Sequence, residues 1–131
     1  MNHVASPDTS DAGIEREILA KGLTAPRVTP ADLKANIASE HYFTAGGAVR
    51  LFAASRSSGG DMEEPPKALD LLTFCVLVLK NGFTVTGESA CASPENFNAE
   101  IGRSIARENA VQKMWPLMGY ALKERLSKSA A

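Results

Sequence analysis

The dipeptide Asn81-Gly82 stands between two β-rich runs and constrains the fold more than any other feature of the chain. Both residues tolerate positive φ, so the pair favours a two-residue type I′ turn between antiparallel strands. The sequence therefore predicts a β-hairpin over about residues 71–88. This turn places Lys80 opposite Phe83 and Val78 opposite Val85, with successive side chains on alternate faces.

Both faces of the predicted hairpin carry apolar side chains. The face predicted to form the core consists of Phe74, Val76, Val78, Phe83 and Val85. The other face consists of Cys75, Leu77, Leu79, Thr84 and Thr86. Because a lone hairpin is only marginally stable in water, this second face needs a cover, which N-terminal helices or an added strand can supply. We favour a second copy of the chain, so the second face is the predicted self-association surface of a homo-oligomer, with a dimer favoured.

Helical patterns flank the hairpin on both sides. Residues 13–21 predict a short helix, and Thr29-Pro30 predicts the start of a second helix that ends near Glu40 or His41, because threonine caps a helix and proline suits its first turn. Residues 49–52 predict a short edge strand.

After the hairpin, Ser93-Pro94 predicts the start of a long helix by the same reasoning. Its apolar stripe is predicted to consist of Phe97, Ile101 and Ile105, joined later by Val111, Met114 and Trp115. Pro116 is expected to kink or end this helix before a last helix begins.

The length of 131 residues fits one domain. Residues 1–12 are polar and are expected to form a disordered tail. Residues 53–66 are rich in Ser, Gly, Pro and charge and predict a mobile surface loop. The prediction is thus a single α+β domain over residues 13–131, in which the hairpin packs against N-terminal and C-terminal helices.

Charge and hydropathy exclude several classes of protein. The formal net charge is −1, which argues against general nucleic-acid binding. The longest apolar run, Leu71 to Leu79, is too short to cross a bilayer, and the first residues lack the apolar core of a signal peptide. Only two cysteines occur, which favours a reducing, cytoplasmic compartment over a disulfide framework.

The turn from hairpin to helix is the best candidate for a binding surface. It carries Glu88, Ser89 and Ser93, and N–H groups at a helix start favour anions. Arg103 and Arg107 follow one turn apart, and their mutual repulsion favours an acidic partner or a phosphate. The alternative is structural: Ser93 only caps the helix, and the arginines pair with Glu100, Glu108 or another subunit.

Other candidates carry weaker signals. Trp115 and Tyr120 are a possible partner anchor, although core packing is the favoured role. Cys91 precedes a helix start, but a cysteine enzyme also needs a base, and His41 is the one histidine outside the tail. No spacing of cysteine and histidine fits a metal, and no cofactor motif occurs. We therefore expect no enzymatic activity, no metal and no cofactor.

The stretch NGFTVTGESACASPENFNAEIGRSIARENAVQKMWPLMGY, residues 81–120, resembles the gene-forty-nine/gene-sixty-six family of small tailed-phage and prophage proteins. The upstream segment KGLTAPRVTPADLKANIASEHYFTA, residues 21–45, is similar to longer members. The resemblance implies a phage origin and action in the host cytoplasm, and it brings no mechanism or catalytic residues with it.

The function expected from these features is binding without catalysis. The leading hypothesis is a phage accessory protein that contacts a host protein complex and inhibits a bacterial defence system, in the manner of anti-CRISPR proteins. The second hypothesis is an oligomeric sponge that sequesters a nucleotide immune signal with Arg103, Arg107 and the helix start at Ser93. The third is an enzyme that uses Cys91.

Overall fold

The computed structural model describes residues 8–56 and 64–130 and contains the predicted hairpin as part of a larger sheet. The hairpin strands are β2 (Leu72–Leu79) and β3 (Thr84–Ala90), and β1 (Ile37–Thr44) adds a third strand along the free side of β2. All neighbours are antiparallel, in the order β1-β2-β3. The predicted α+β class is confirmed.

Four α-helices surround this sheet in the described residues. They are α1 (Asp11–Ala20), α2 (Pro30–Ala35), α3 (Ala45–Arg56) and α4 (Ala99–Ser129), with 3-10 turns at Lys67–Leu71 and Pro94–Asn96. None of these helices is both long and apolar enough to cross a membrane.

The N-terminal half differs from the prediction in three places. The helix that starts at Pro30 ends at Ala35, because the chain then pairs with β2 as β1. The predicted edge strand at residues 49–52 is wrong, since these residues lie within α3. α1 begins at Asp11 with Ser10 as its cap, which takes the last two residues out of the predicted tail.

The segment between α3 and the first 3-10 turn is shorter than predicted. α3 continues to Arg56, so residues 53–56 of the predicted loop are helical. Residues 1–7 of the predicted tail and 57–63 of the predicted loop lie outside the described residues.

The hairpin register is shifted by one residue from the prediction. Val78 pairs with Thr84 and Leu77 pairs with Val85, so the connection between the strands spans residues 80–83. Gly82 has a φ of 88°, whereas no non-glycine residue in the described chain has positive φ, which rules out a type I′ turn. Instead the Asn81 side chain accepts a bond from the Phe83 N–H at 2.9 Å.

The shift of one residue exchanges the faces of β3 and corrects the predicted core. Cys75, Leu77, Leu79 and Val85 now share one face and are buried. α4 covers this face, so Cys75, Leu77 and Leu79 are not available to a second copy of the chain. Thr84 and Thr86 are exposed on the opposite face, and the predicted self-association surface is therefore wrong as a set.

α4 reaches the sheet through small residues and through the later part of the predicted apolar stripe, Val111 and Met114, with Trp115 packed beside them. Gly102, Ala106, Ala110, Val111 and Met114 form its buried side. Ile101 and Ile105 are 60% and 47% exposed. The helix also continues through Pro116, so the predicted break at that position is absent and a single helix replaces two.

Gly87 on β3 explains why the buried side of α4 is made of small residues. A Cβ atom at this position would lie 2.1 Å from the Ala106 carbonyl oxygen and 2.3 Å from the Ala110 nitrogen. Strand and helix therefore touch backbone to backbone, and a larger side chain on either element would push them apart.

We expect Gly87→Ala to lower the free energy of unfolding by about 3 kcal/mol or more, because backbone atoms cannot yield as a flexible side chain does. Gly119→Ala is the matched control within α4: nothing lies near its Cβ position, so we expect a gain of about 0.5–1 kcal/mol from helix propensity. Urea unfolding followed by circular dichroism measures both. Equal midpoints for the Gly87 variant and the wild type would contradict this packing.

Candidate functional site

The turn from β3 to α4 does not form the predicted helix start. Ser93 precedes the 3-10 turn and its side chain makes no capping bond, whereas Asn98 caps α4 by accepting a bond from the Ile101 N–H at 2.9 Å. The Cys91 thiol donates to the Ser93 carbonyl oxygen at 3.2 Å. The positive end of α4 therefore lies at Ala99, beyond Ser89 and Ser93.

Arg107 is held within the chain rather than offered to a partner. Its Nε donates to Glu40 Oε1 at 2.7 Å, and the Tyr42 hydroxyl donates to the same oxygen at 2.7 Å. Hydrogen bonds from Arg107 and then from Tyr42 hold the pKa of Glu40 below its ordinary value. These hydrogen bonds link β1 to α4. The structural alternative predicted that Arg107 pairs with a carboxylate, and the partner is Glu40 rather than Glu100 or Glu108.

Arg103 is exposed and lines a small pocket of about 140 Å³ between β1 and the start of α4. Thr73 also lines this pocket. Its hydroxyl oxygen is buried and has no hydrogen-bond partner among the described residues. This oxygen lies against Gly102, where an added Cβ would stand 3.0 Å away. No feature of the sequence singled out Thr73.

The two aromatic residues proposed as a partner anchor have different environments. Trp115 is half-buried against the core, and its Nε1 donates to Asp11 Oδ2 at 3.2 Å, so it attaches α1 to α4. Tyr120 is 74% exposed, beyond the last core residues of α4. Trp115 therefore has the packing role favoured from the sequence, while Tyr120 remains accessible.

The structure separates Cys91 from His41. His41 pairs with Val76 of β2, whereas the Cys91 N–H bonds to the carbonyl of Leu71, which lies five residues before Val76 and directly precedes β2. That distance is roughly 17 Å at 3.4 Å per residue. The two side chains therefore form no catalytic pair, and the described residues contain no group of three metal-ligating side chains.

The sheet face opposite α4 is the face that the sequence assigned to the core. We call it the open face, and by register it consists of Ser39, His41, Phe43, Phe74, Val76, Val78, Thr84, Thr86 and Glu88. Phe43 stacks on Phe74 with ring centroids 5.4 Å apart and is still 43% exposed. Phe74, Val76 and Val78 are half-buried, so the centre of the face is apolar and accessible.

The border of the open face is polar but carries little charge. Hydroxyl groups of Ser39, Thr84 and Thr86 surround the apolar centre, and Glu88 is its only acidic residue. Glu88 lies 3.9 Å from Lys113 at the edge of β3, which offsets part of its charge. Glu88 is thus the predicted binding residue that the register places on this face. An apolar centre with an uncharged polar rim is typical of protein interfaces.

These features define the class of protein: a small α+β domain with a three-stranded antiparallel sheet that α4 covers on one face only. Residues 28–126 match the phage protein (N4 Gp49/phage Sf6 gene 66) family, and the chain belongs to that family. The match begins before α2 and ends within α4, which confirms the resemblance seen in the sequence. Neither the curated proteins nor the solved structures contain a match to the chain.

We expect the Glu40 group to make the fold sensitive to acid. The pKa of Glu40 is lower in the folded chain than its ordinary value of 4.5, so its contribution is complete above that pH and is lost as the pH falls through the folded value. The Glu40 and Arg107 side chains are 34% and 36% exposed, so solvent screens their interaction. Glu40→Gln should therefore reduce the free energy of unfolding that acid removes by less than about 1 kcal/mol.

Urea midpoints measured from pH 7 to pH 3 test this expectation. Glu95→Gln serves as the control, since Glu95 is exposed and makes no ion pair or hydrogen bond in the described part of the chain. If the two variants show the same pH dependence, the Glu40 group does not link acid to stability.

Proposed function

We propose that the chain is a non-enzymatic phage accessory protein that acts in the host cytoplasm by binding a host protein through the open face. The expected consequence is inhibition of a bacterial defence complex by contact, in the manner of anti-CRISPR proteins. Membership of a phage family supports the setting. The open face supports contact with a protein as the mode of action.

The observation that carries the proposal is the stacked and accessible pair Phe43 and Phe74 near one end of the open face. An aromatic pair that stays accessible in a folded domain loses the free energy that burial would provide. Contiguous apolar surface of this kind marks interaction sites in soluble proteins. Aromatic residues also dominate the binding energy of protein interfaces.

The dimensions of the open face favour a different protein over a second copy of the chain. At about 3.3 Å per residue and about 4.8 Å between strands, a sheet of this size offers roughly 400 Å² on one face. A stable interface usually buries about 800 Å² per partner. Two copies that met face to face would fall short, whereas an asymmetric partner can extend onto other exposed apolar residues, such as Val49, Leu51 and Phe52 of α3.

We expect Phe43→Lys and Thr86→Arg to abolish capture of a host protein, because each places a charge within an interface that excludes water. Thr86 is exposed, so its variant keeps the fold even if the Phe43 variant loses stability. Tyr120→Lys is the matched control, since it places the same charge on an exposed aromatic residue of α4. The measurements are affinity capture from host lysate with mass spectrometry, and plating efficiency on hosts that carry a defence system.

The outcomes separate the alternatives. Loss of the same captured protein and of phage protection with both open-face variants, but not with Tyr120→Lys, supports the proposal. Loss with Tyr120→Lys alone would move the interface to α4 and overturn it. A dimer in solution that Thr86→Arg dissociates would make the second copy the occupant and would also overturn it.

The absence of catalysis is tested separately at Cys91. We expect Cys91→Ala to protect phage as well as the wild type does, because the thiol bonds to the Ser93 carbonyl and His41 lies far away along the sheet. Plating efficiency measures this result, with equal protein levels verified by immunoblot. Loss of protection with retained fold would indicate that the thiol takes part in the activity.

A further inference from the structure

A second surface, on the other side of the molecule's core from the open face, has the chemistry of a ligand site. It is a cleft of about 690 Å³ between the C-terminal part of α4, the end of α2 and the hairpin turn. We call it the basic cleft, and its charged side chains are Arg27, Asp32, Lys80 and Arg125. We infer that the basic cleft binds a small nucleotide, with its phosphate between Lys80 and Arg125 and its base on the apolar floor.

The net charge of the cleft is positive, whereas that of the whole chain is negative. The chain has a formal net charge of −1, whereas the cleft contains three cationic side chains and one acidic one. Arg27 is already neutralised, because its two terminal nitrogens each donate to Glu15 at 2.6 Å. Lys80 and Arg125 form no side-chain hydrogen bond or ion pair within residues 8–56 and 64–130. Asp32 is the acidic neighbour in the cleft: its hydrogen bonds with Thr29 lower its pKa most, and Arg27 and Arg125 lower it further, so it offsets part of the charge of Arg125. The positive charge that is left on Lys80 and Arg125 gains energy from an anion between them.

Part of the cleft lining is apolar and suits a flat ring, and this part is what we call the apolar floor. Met118 and Leu122 are half-buried side chains of α4 that line it. An inorganic anion alone would leave this floor in contact with water, whereas a nucleobase would cover it. The volume lies within the range of about 300–1,000 Å³ that small-molecule sites occupy.

Two amide side chains can supply hydrogen bonds to the ring. Asn36 Nδ2 contacts only the Met118 sulfur, at 3.7 Å, which is a weak acceptor. The Asn81 side chain uses its oxygen to accept from the Phe83 N–H, which leaves its NH₂ group for a ligand. Amide donors, paired cations and an apolar floor together match a base joined to a phosphate more closely than they match either part alone.

The number of uncommitted cations limits the size of the ligand. Two cationic side chains that Asp32 partly offsets can neutralise one or two phosphates, which suits a mononucleotide or a dinucleotide rather than a nucleic-acid strand. The site differs from the nucleotide site expected from the sequence, since Arg107 is bonded to Glu40 and Arg103 lies beside β1. The inference is also independent of the proposed protein contact, which uses the open face.

The test is isothermal titration calorimetry of the full chain with adenosine 5′-monophosphate, cyclic di-adenosine monophosphate and inorganic phosphate. We expect at least one nucleotide to bind, and Lys80→Ala and Arg125→Ala each to weaken it about 10-fold, because each removes a charge-assisted bond. Arg103→Ala is the matched control and should bind as the wild type does. Both cleft residues are exposed, and melting temperatures verify that the variants fold.

Three outcomes would overturn the inference. The first is no binding of either nucleotide up to about 10 mM, where affinity is negligible. The second is an equal loss of binding with Arg103→Ala, which would indicate general attraction of anions. The third is binding of inorganic phosphate as tight as that of the nucleotides, which would leave the apolar floor without a role. Thr86→Arg should retain nucleotide binding, so failure here is distinguishable from failure of the protein-contact proposal.

Discussion

The direct contact between Gly87 and the backbone of α4 is the interaction on which the rest of the structure depends. Where no side chain separates strand and helix, the helix lies close enough to cover most of one face of the sheet. The residues of α4 that cover this face include Gly102, Ala106 and Ala110, whose side chains are small or absent. Leu33 of α2 completes the core beside α4, and the other sheet face stays accessible.

The length of α4 explains the position of the basic cleft. The last buried residue of α4 is Met114, yet the helix continues to Ser129. Trp115 and Met118 still pack against the core, and the residues beyond them extend past it, next to the end of α2 and the hairpin turn. Because Pro116 lies within this helix without ending it, Leu122 and Arg125 stay on a continuous rigid wall. A break at Pro116 would have removed that wall.

The sequence predicted the hairpin correctly because strand propensity, apolar runs and the Asn81-Gly82 pair agree. It failed on the register because one backbone angle decides it: positive φ at Asn81 would give the two-residue turn, and the structure has positive φ at Gly82 alone. A one-residue shift then exchanged core and surface on β3. β1 was missed because Ile37 and the alanines before it continue a helical spacing, and pairing with β2 overrides that local preference.

The candidate sites were predictable only where a residue acts through its own chemistry. The structural alternative anticipated an acidic partner for Arg107 and a packing role for Trp115, and the structure contains both. The open face and the basic cleft depend instead on register and on where α4 ends. Lys80 and Arg125 are far apart in sequence, and no spacing rule links a hairpin turn to the last turns of a distant helix.

Arg50 bears on how much insertion this fold tolerates. Its guanidinium holds Asp70 with two bonds of 2.8 and 3.0 Å, and its Nε also donates to Glu64 at 3.1 Å. These ion pairs therefore join α3, which ends at Arg56, to the chain that resumes at Glu64. Since each doubling of a connection costs only about 0.6 kcal/mol of closure entropy, extra residues inserted there would leave β1 and β2 in register. Length variation among relatives is accordingly expected at this position before any other.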